Sequence, residues 1–151
     1  MRPGIPPLFL TGLVGLAMWV AARILRPLAF DLPFAGALAA LLGAAGLAIC
    51  LLGVLPFRRA GTTVDPTRPE RASALVTTGI YRATRNPMYV GMLLLLVAWG
   101  AFLLNAAALL LGPAAFALYL NRRQIPAEER ALEASFGREY REYASRVRRW
   151  I

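Results

Sequence analysis

Thr77-Thr-Gly-Ile-Tyr-Arg-Ala-Thr-Arg-Asn-Pro-Met-Tyr-Val-Gly91 is the stretch that decides the fold, because a polar, arginine-bearing segment passes there directly into a long apolar run. Asn86-Pro87 predicts a helix start, since an Asn side chain can accept a bond from the first free backbone N–H groups and proline has the helical φ already fixed. The N-terminus of such a helix is partially positive, and Arg82 and Arg85 precede it closely, so we expect the spot to attract a carboxylate or a phosphate. The simpler interpretation is a well-capped membrane helix anchored by arginines.

The composition is that of a membrane protein. The chain has 151 residues, 58% of them hydrophobic, and gathers its apolar residues in long uninterrupted runs. The polar segments are too short to bury a separate core, so we predict a single domain over residues 1–151. His is absent and Cys occurs once, which excludes His-based triads, Cys-x-x-Cys redox pairs and zinc clusters, and no metal is expected.

The apolar runs predict four membrane spans. Ile5–Ala22 and Leu32–Phe57 are each long enough for one span. Pro87–Leu120, with 34 residues at about 1.5 Å per residue, is too long for one and predicts a hairpin of two short helices. The reversal falls near Asn105 or near Gly112-Pro113, and Asn105 is favoured because it divides the run more evenly.

Small residues recur in the second run at spacings of three and four, which favours close approach of a neighbouring helix within the chain or in another copy. They are Gly36, Ala40, Gly43, Ala44 and Gly46. The oligomeric state is therefore left open by the pattern.

The C-terminal part predicts an amphipathic helix interrupted at Gly137. Its apolar positions are spaced by three or four residues, at Leu132, Phe136, Tyr140, Tyr143 and Val147. Glu128-Glu129 follows Pro126 in the first turn, where the helix dipole favours carboxylates, so a structural role is the simpler interpretation of this pair.

The arginines set the predicted topology. Of the 17 arginines, 14 lie in Arg58–Arg85 and Arg122–Arg149, and four spans bring these segments and both chain termini to one side. The positive-inside rule makes that side cytoplasmic, in the inner membrane of a bacterial host, although Arg23 and Arg26 then fall on the opposite side. This bias accounts for the net charge of +9 without nucleic acid. The predicted fold is an all-α membrane protein of about four transmembrane helices, with a cytoplasmic cap made of the central loop and the C-terminal amphipathic helix.

Two separated blocks resemble the integral-membrane methyltransferases of the isoprenylcysteine carboxyl methyltransferase and phospholipid N-methyltransferase group. The first block is Gly79-Ile80-Tyr81 followed by Arg85–Gly91. The second comprises Glu128-Glu129, Leu132, Phe136-Gly137, Glu139-Tyr140, Tyr143 and Arg146-Val147. The carboxyl methyltransferases usually have His where this chain has Asn86, and Asn-Pro-Met-Tyr also resembles the phospholipid branch.

The resemblance implies that S-adenosylmethionine binds on the cytosolic side and that a lipid acceptor enters from the bilayer. Arg85 or Arg122 would orient a carboxylate acceptor through a bidentate pair, whereas Glu129 or Glu128 would take the proton from an amine acceptor. In-line transfer from a sulfonium requires no metal and no covalent enzyme intermediate. The implied cofactor pocket is lined by Tyr81, Arg85, Asn86, Pro87, Tyr89, Gly91, Glu128 and Glu129.

The predicted function is S-adenosylmethionine-dependent methyl transfer to a membrane-embedded lipid or isoprenoid-like acceptor, with carboxylate O-methylation favoured over amine N-methylation. One alternative is a membrane reductase that uses a nicotinamide cofactor, because sterol-type reductases resemble this group in their helical core. The other is a non-catalytic membrane protein whose cap recognises anionic lipid headgroups.

Overall fold

The computed structural model describes residues 5–61 and 73–151, and this part of the chain is all-helical. Its five α-helices are α1 (Pro7–Ile24), α2 (Ala35–Arg59), α3 (Pro87–Leu103), α4 (Ala106–Tyr119) and α5 (Ile125–Arg146). Short 3-10 turns occur at Arg26–Leu28 and Gly79–Arg82, and a π-helical turn, Leu120–Gln124, joins α4 to α5. The predicted central connection is partly outside the described residues, which resume at Ser73.

The first two predicted spans are helices α1 and α2, each shifted by two or three residues toward the C-terminus. Both are long and apolar enough to cross a membrane. Pro7 occupies the first turn of α1, where its missing N–H costs nothing. The third helix, α3, is also apolar but has only 17 residues.

The reversal in the second half of the chain occurs at Asn105, as predicted, while Pro113 lies inside helix α4. The Asn105 side chain is buried, and its Oδ1 accepts a hydrogen bond from the backbone N–H of Ala108 at 3.1 Å. Its Nδ2 donates to the carbonyl of Leu25 at 2.9 Å. One amide therefore caps α4 and fixes the connection between α1 and α2 against the hairpin.

Helices α2 and α3 approach most closely where both carry glycine. A Cβ atom added to Gly46 would lie 2.8 Å from the carbonyl oxygen of Gly91, and one added to Gly91 would lie 2.6 Å from the carbonyl oxygen of Gly46. Of the predicted small-residue positions in α2, Gly46 packs closely on α3 and Gly43 faces Ala98, whereas the other three are exposed: Gly36, Ala40 and Ala44. The close contact at Gly46 fixes the position of α3, which begins at Pro87 directly after the polar segment that ends at Asn86.

The apolar core lies between α1, α3, α4 and the start of α5. Leu120 in the π-helical turn and Ile125 at the start of α5 are both fully buried. These two side chains fold the chain back after α4, so the first turn of α5 lies beside the first turn of α3. The core cluster comprises Leu10, Met18, Tyr89, Leu96, Ala108, Phe116, Leu120 and Ile125.

The predicted interruption of the C-terminal helix at Gly137 is confirmed. Gly137 has φ 51° and ψ −117°, a conformation that glycine adopts without the steric cost of a Cβ atom. The kink divides α5 into a first half that contacts the start of α3 and a second half that carries Tyr140 and Tyr143, which are both buried.

The contact between α2 and α3 predicts unequal effects for two alanine substitutions in α2. Gly46→Ala should lower the free energy of unfolding by about 1–3 kcal/mol, because the new methyl group must displace backbone of α3. Gly43→Ala, whose Cβ would meet only Ala98 Cβ at 3.9 Å, should leave stability unchanged or raise it slightly through helix propensity. Thermal unfolding in detergent tests the pair, and equal melting temperatures would contradict this packing.

Candidate active site

The candidate site lies at the end of the bundle where α3 begins and α5 begins. Glu128, in the first turn of α5, contacts Tyr89 in the first turn of α3, and the next residue, Glu129, contacts Arg85 in the polar segment before α3. The two blocks that are separated by about forty residues of sequence therefore meet in space. The physical cause is the α3–α4 hairpin, which returns the chain to its starting end before α5 starts.

Helix α3 starts at Pro87, as predicted, but the predicted cap by the Asn86 side chain is wrong. The Asn86 side chain makes no capping bond, and its Nδ2 donates instead to the carbonyl oxygen of Arg149 at 2.9 Å. The backbone N–H of Asn86 donates to Thr84 Oγ1 at 3.1 Å. Asn86 therefore ties the start of α3 to the residues that follow α5.

Glu129 lies between Arg85 and Arg149. We call these three residues the ion cluster. Arg85 Nη1 lies 3.1 Å from Glu129 Oε1. Arg149 makes a two-point contact, with Nε 3.1 Å from Oε1 and Nη2 2.6 Å from Oε2. Since two guanidinium groups face one carboxylate, the ion cluster keeps one excess positive charge, which suits an anionic ligand.

Arg85 has unused hydrogen-bonding capacity. Its Nη1 also donates to the hydroxyl of Tyr140 at 3.1 Å, but its buried Nε has no hydrogen-bond partner among the residues that the structure describes. A buried donor left without a partner costs free energy. A ligand acceptor at this position would remove that cost.

Glu128 is held by Tyr89 and Gln124. Its Oε1 accepts from the Tyr89 hydroxyl at 2.5 Å and from Gln124 Nε2 at 2.6 Å. Burial raises the pKa of Glu128 to about 7, a shift that the two hydrogen bonds oppose and the nearby Glu129 carboxylate adds to. Glu128 therefore exchanges a proton near neutral pH, which distinguishes it from an ordinary surface glutamate.

Two buried tyrosines, Tyr81 and Tyr143, connect the helices next to the site. The Tyr81 hydroxyl donates to the carbonyl of Gly53 at 3.3 Å, and its ring packs edge-on against Phe57. The Tyr143 hydroxyl donates to the carbonyl of Tyr81 at 2.8 Å. Burial raises the pKa of both phenols, so at neutral pH both are hydrogen-bond donors that link α5 to α2 through the Gly79–Arg82 turn.

The structure places the predicted site residues in different surroundings. Arg85, Asn86, Tyr89, Glu128 and Glu129 lie in two sets of polar contacts, one around Glu129 and one around Glu128. The two sets adjoin where these glutamates follow each other in α5, and together we call them the polar network. Pro87 and Gly91 lie in the contact between α3 and α2, facing Gly53 and Gly46. The Tyr81 hydroxyl donates a hydrogen bond to the carbonyl of Gly53 in α2. Arg122 is exposed in the π-helical turn.

Three residues of the network are absent from the residues predicted to bind the cofactor. Gln124 precedes Glu128 by one helical turn, a spacing at which side chains on one helix meet, and could have been inferred from it. Tyr140 is predicted as an apolar position of the C-terminal helix and as part of the second block, although its hydroxyl accepts a hydrogen bond from Arg85. Arg149 carries no local signal, because it stands in a short run with Arg146 and Arg148.

The sequence matches a known protein family and is similar to several known proteins. Residues 34–139 match the phospholipid methyltransferase family. The chain is 39% identical over 105 residues to a probable protein-S-isoprenylcysteine O-methyltransferase of Oryza sativa subsp. japonica, covering 68% of this chain and 53% of that protein. It is 35% identical over 112 residues to protein-S-isoprenylcysteine O-methyltransferase B of Arabidopsis thaliana, covering 68% and 55%.

A bacterial relative is also similar. An uncharacterized protein of Haemophilus influenzae is 48% identical over 64 residues, which is 42% of this chain and all of that protein. The chain spans about half the length of the plant relatives it matches. The predicted resemblance is confirmed, because the matched range contains Tyr81–Gly91 and Glu128-Glu129 and covers well over half of the sequence. This chain therefore belongs to the phospholipid methyltransferase family.

Proposed function

We propose that the protein transfers a methyl group from S-adenosylmethionine to a membrane-embedded lipid or isoprenoid-like acceptor, at the junction of α3 and α5. The observation that carries the proposal is the meeting of Glu128 and Glu129 with Tyr89 and Arg85 in one partly buried polar network. Membership of a methyltransferase family supports methyl transfer. The names of the plant relatives support a lipid-modified acceptor.

The membrane arrangement that we propose has α1 to α4 as four spans of one domain and α5 with the Gly79–Arg82 turn as a cytoplasmic cap, in the inner membrane of a bacterial host. Helices α1 and α2 expose large apolar side chains, as lipid contact requires. The shorter α3 and α4 fit a span when the bilayer thins locally. Arginines at the site end of the bundle are exposed, which supports a cytoplasmic position for that end: Arg58, Arg59, Arg82, Arg122 and Arg123.

The residues of the site fit S-adenosylmethionine, which carries a sulfonium cation and ribose hydroxyl groups. Glu128 is suited to hold either group, because its partly buried carboxylate is held in place through Oε1 by Tyr89 and Gln124. Glu129 and Asn86 lie in the same network and would hold the polar ends of the cofactor. When bound, S-adenosylmethionine supplies an electrophilic methyl group on positively charged sulfur.

The favoured acceptor is a carboxylate. As its oxygen bonds to the methyl carbon, the carbon–sulfur bond breaks and its electron pair stays on sulfur, which leaves a methyl ester and a neutral thioether. This step releases no proton, so it needs no general base. The partnerless Nε of Arg85 and the excess positive charge of the ion cluster would bind and orient such an acceptor.

An amine acceptor is the alternative within the same reaction class. An ammonium group must lose a proton before it can attack, and Glu128, with its pKa raised to about 7, is the group able to take it at neutral pH. Arg122 stays a predicted orienting residue for a carboxylate at the exposed edge of the π-helical turn. Family membership supports neither nicotinamide-dependent reduction nor a purely lipid-binding role.

Calorimetric titration of S-adenosylmethionine and S-adenosylhomocysteine into the detergent-solubilised protein tests the cofactor site. We expect saturable binding that weakens by about tenfold or more in Glu128→Gln and Glu129→Gln, because each change removes a carboxylate from the partly buried network. Glu133→Gln is the matched control on the same helix, since Glu133 is exposed and pairs with exposed Arg141. No binding to the folded wild-type protein, or equal losses in the control, would contradict the proposal.

The pH dependence of binding tests the role of Glu128. In the free protein a proton competes with the sulfonium for this carboxylate below its pKa of about 7. Affinity for S-adenosylmethionine should therefore rise as the pH rises toward neutral and level off above it, whereas S-adenosylhomocysteine, with neutral sulfur, should respond less. The ratio of the two affinities, measured on both sides of neutral pH, should become flat in Glu128→Gln. A flat ratio in the wild-type protein would refute a contact between Glu128 and the sulfonium.

The chemistry of the acceptor can be read from the labelled product. Methyl-labelled S-adenosylmethionine is supplied with a prenylated cysteine that has a free carboxylate, or with phosphatidylethanolamine vesicles. We expect label in the carboxylate acceptor, released by alkali as methanol, because methyl esters are base-labile and N-methyl groups are not. Base-stable label in the amine lipid would instead establish the N-methylation alternative.

The orienting role of Arg85 is tested in the same assay. Arg85→Lys should lower kcat/KM by about tenfold or more, since lysine keeps the charge but cannot make the planar two-point contact. Arg82→Lys is the matched control, because Arg82 is exposed in the neighbouring turn. Full activity of Arg85→Lys would rule out bidentate orientation by this residue.

A further inference from the structure

The residues that follow α5 form part of the candidate site. At Val147 the chain leaves the helix in an extended conformation and passes beside the polar segment that precedes α3. The carbonyl of Arg148 accepts from the backbone N–H of Arg85 at 2.9 Å. The carbonyl of Arg149 accepts from Thr84 Oγ1 at 3.2 Å and from Asn86 Nδ2 at 2.9 Å.

Trp150 anchors the far end of this segment. Its indole N–H donates to Asn121 Oδ1 at 3.0 Å, in the π-helical turn, and its ring packs against the apolar core. The main chain of Val147–Trp150 is thus held on both sides of Arg149. Because the backbone is already held at fixed points, the contact made by the Arg149 side chain costs only the conformational entropy of that side chain.

The contact of Arg149 with Glu129 differs in kind from that of Arg85. Arg85 touches a single oxygen of the carboxylate, a contact that leaves the carboxylate free to rotate about it. Arg149 touches both oxygens, at 3.1 and 2.6 Å, which fixes the plane of the carboxylate. The Glu129 side chain keeps 22% of its surface exposed, so it is not closed off from a ligand.

We propose that Arg149 is a positioning residue that orients Glu129 for the cofactor, and that Val147–Trp150 is the segment that carries it there. The inference rests on the proposed function, since it assigns a partner to one of the two carboxylates that would hold S-adenosylmethionine. Arg149 lies beyond the matched range 34–139, so the family match assigns it no role. Its side chain can be changed without loss of the segment, because Thr84 and Asn86 bond its main-chain carbonyl.

A double-mutant cycle on Glu129 and Arg149 tests the inference, with calorimetric affinity for S-adenosylmethionine as the readout. Arg149→Gln should weaken binding about tenfold in the wild-type background and less than about twofold in the Glu129→Gln background, because its effect passes through the carboxylate. Arg148→Gln is the matched control: it removes the same charge from the adjacent residue, whose side chain is exposed and makes no ion pair within residues 73–151. Where Glu129→Gln weakens binding beyond measurement, Glu129→Asp supplies the second background.

Arg149→Lys separates orientation from charge. A lysine restores the positive charge but reaches one oxygen, so affinity should stay well below that of the wild-type protein. If the wild-type protein binds the cofactor, three results would each overturn the positioning role of Arg149. They are full affinity in Arg149→Lys, equal losses of affinity from Arg149→Gln in both backgrounds, and a loss in Arg148→Gln as large as in Arg149→Gln. Absence of cofactor binding to the folded wild-type protein would overturn the proposed function and this inference with it.

Discussion

The structure depends on the burial of two adjacent carboxylates at the start of α5. Removing such groups from water is costly unless each finds charged or hydrogen-bonding partners. Glu129 finds Arg85 and Arg149, and Glu128 finds Tyr89 and Gln124. These partners come from the start of α3, the π-helical turn and the residues that follow α5, so the carboxylates hold these three parts of the chain together.

That network can form only because the helices beneath it are placed by close backbone contact. Because Gly46 and Gly91 have no side chains, the backbones of α2 and α3 come into direct contact at these two residues. The first turn of α3 is thereby held at a fixed height relative to α2, and Tyr81 bonds the same helix at Gly53. The glycines of this contact have no functional side chains, but they determine how far apart the helices that carry the polar network lie.

The two carboxylates differ in environment and therefore in chemical use. Glu129 is neutralised by guanidinium groups and fixed in orientation, which suits recognition. Glu128 is buried among neutral donors, which raises its pKa to about 7 and leaves its charge responsive to a cationic ligand. The π-helical turn, Leu120–Gln124, contributes to this difference because it places Gln124 against Glu128, and π-helical turns often occur at functional sites.

The sequence by itself determined the helical class, the apolar helices, the reversal at Asn105, the interruption at Gly137 and the family, because these follow from local composition, turn chemistry and short motifs. It also indicated most of the polar network, since Arg85, Asn86 and the two glutamates stand in recognisable blocks. Only the tertiary structure decided that Gly91 serves packing, that Asn86 bonds Arg149 instead of capping α3, and that Arg149 holds Glu129. Contacts between residues 20 to 65 positions apart depend on how the helices pack, which no local pattern records.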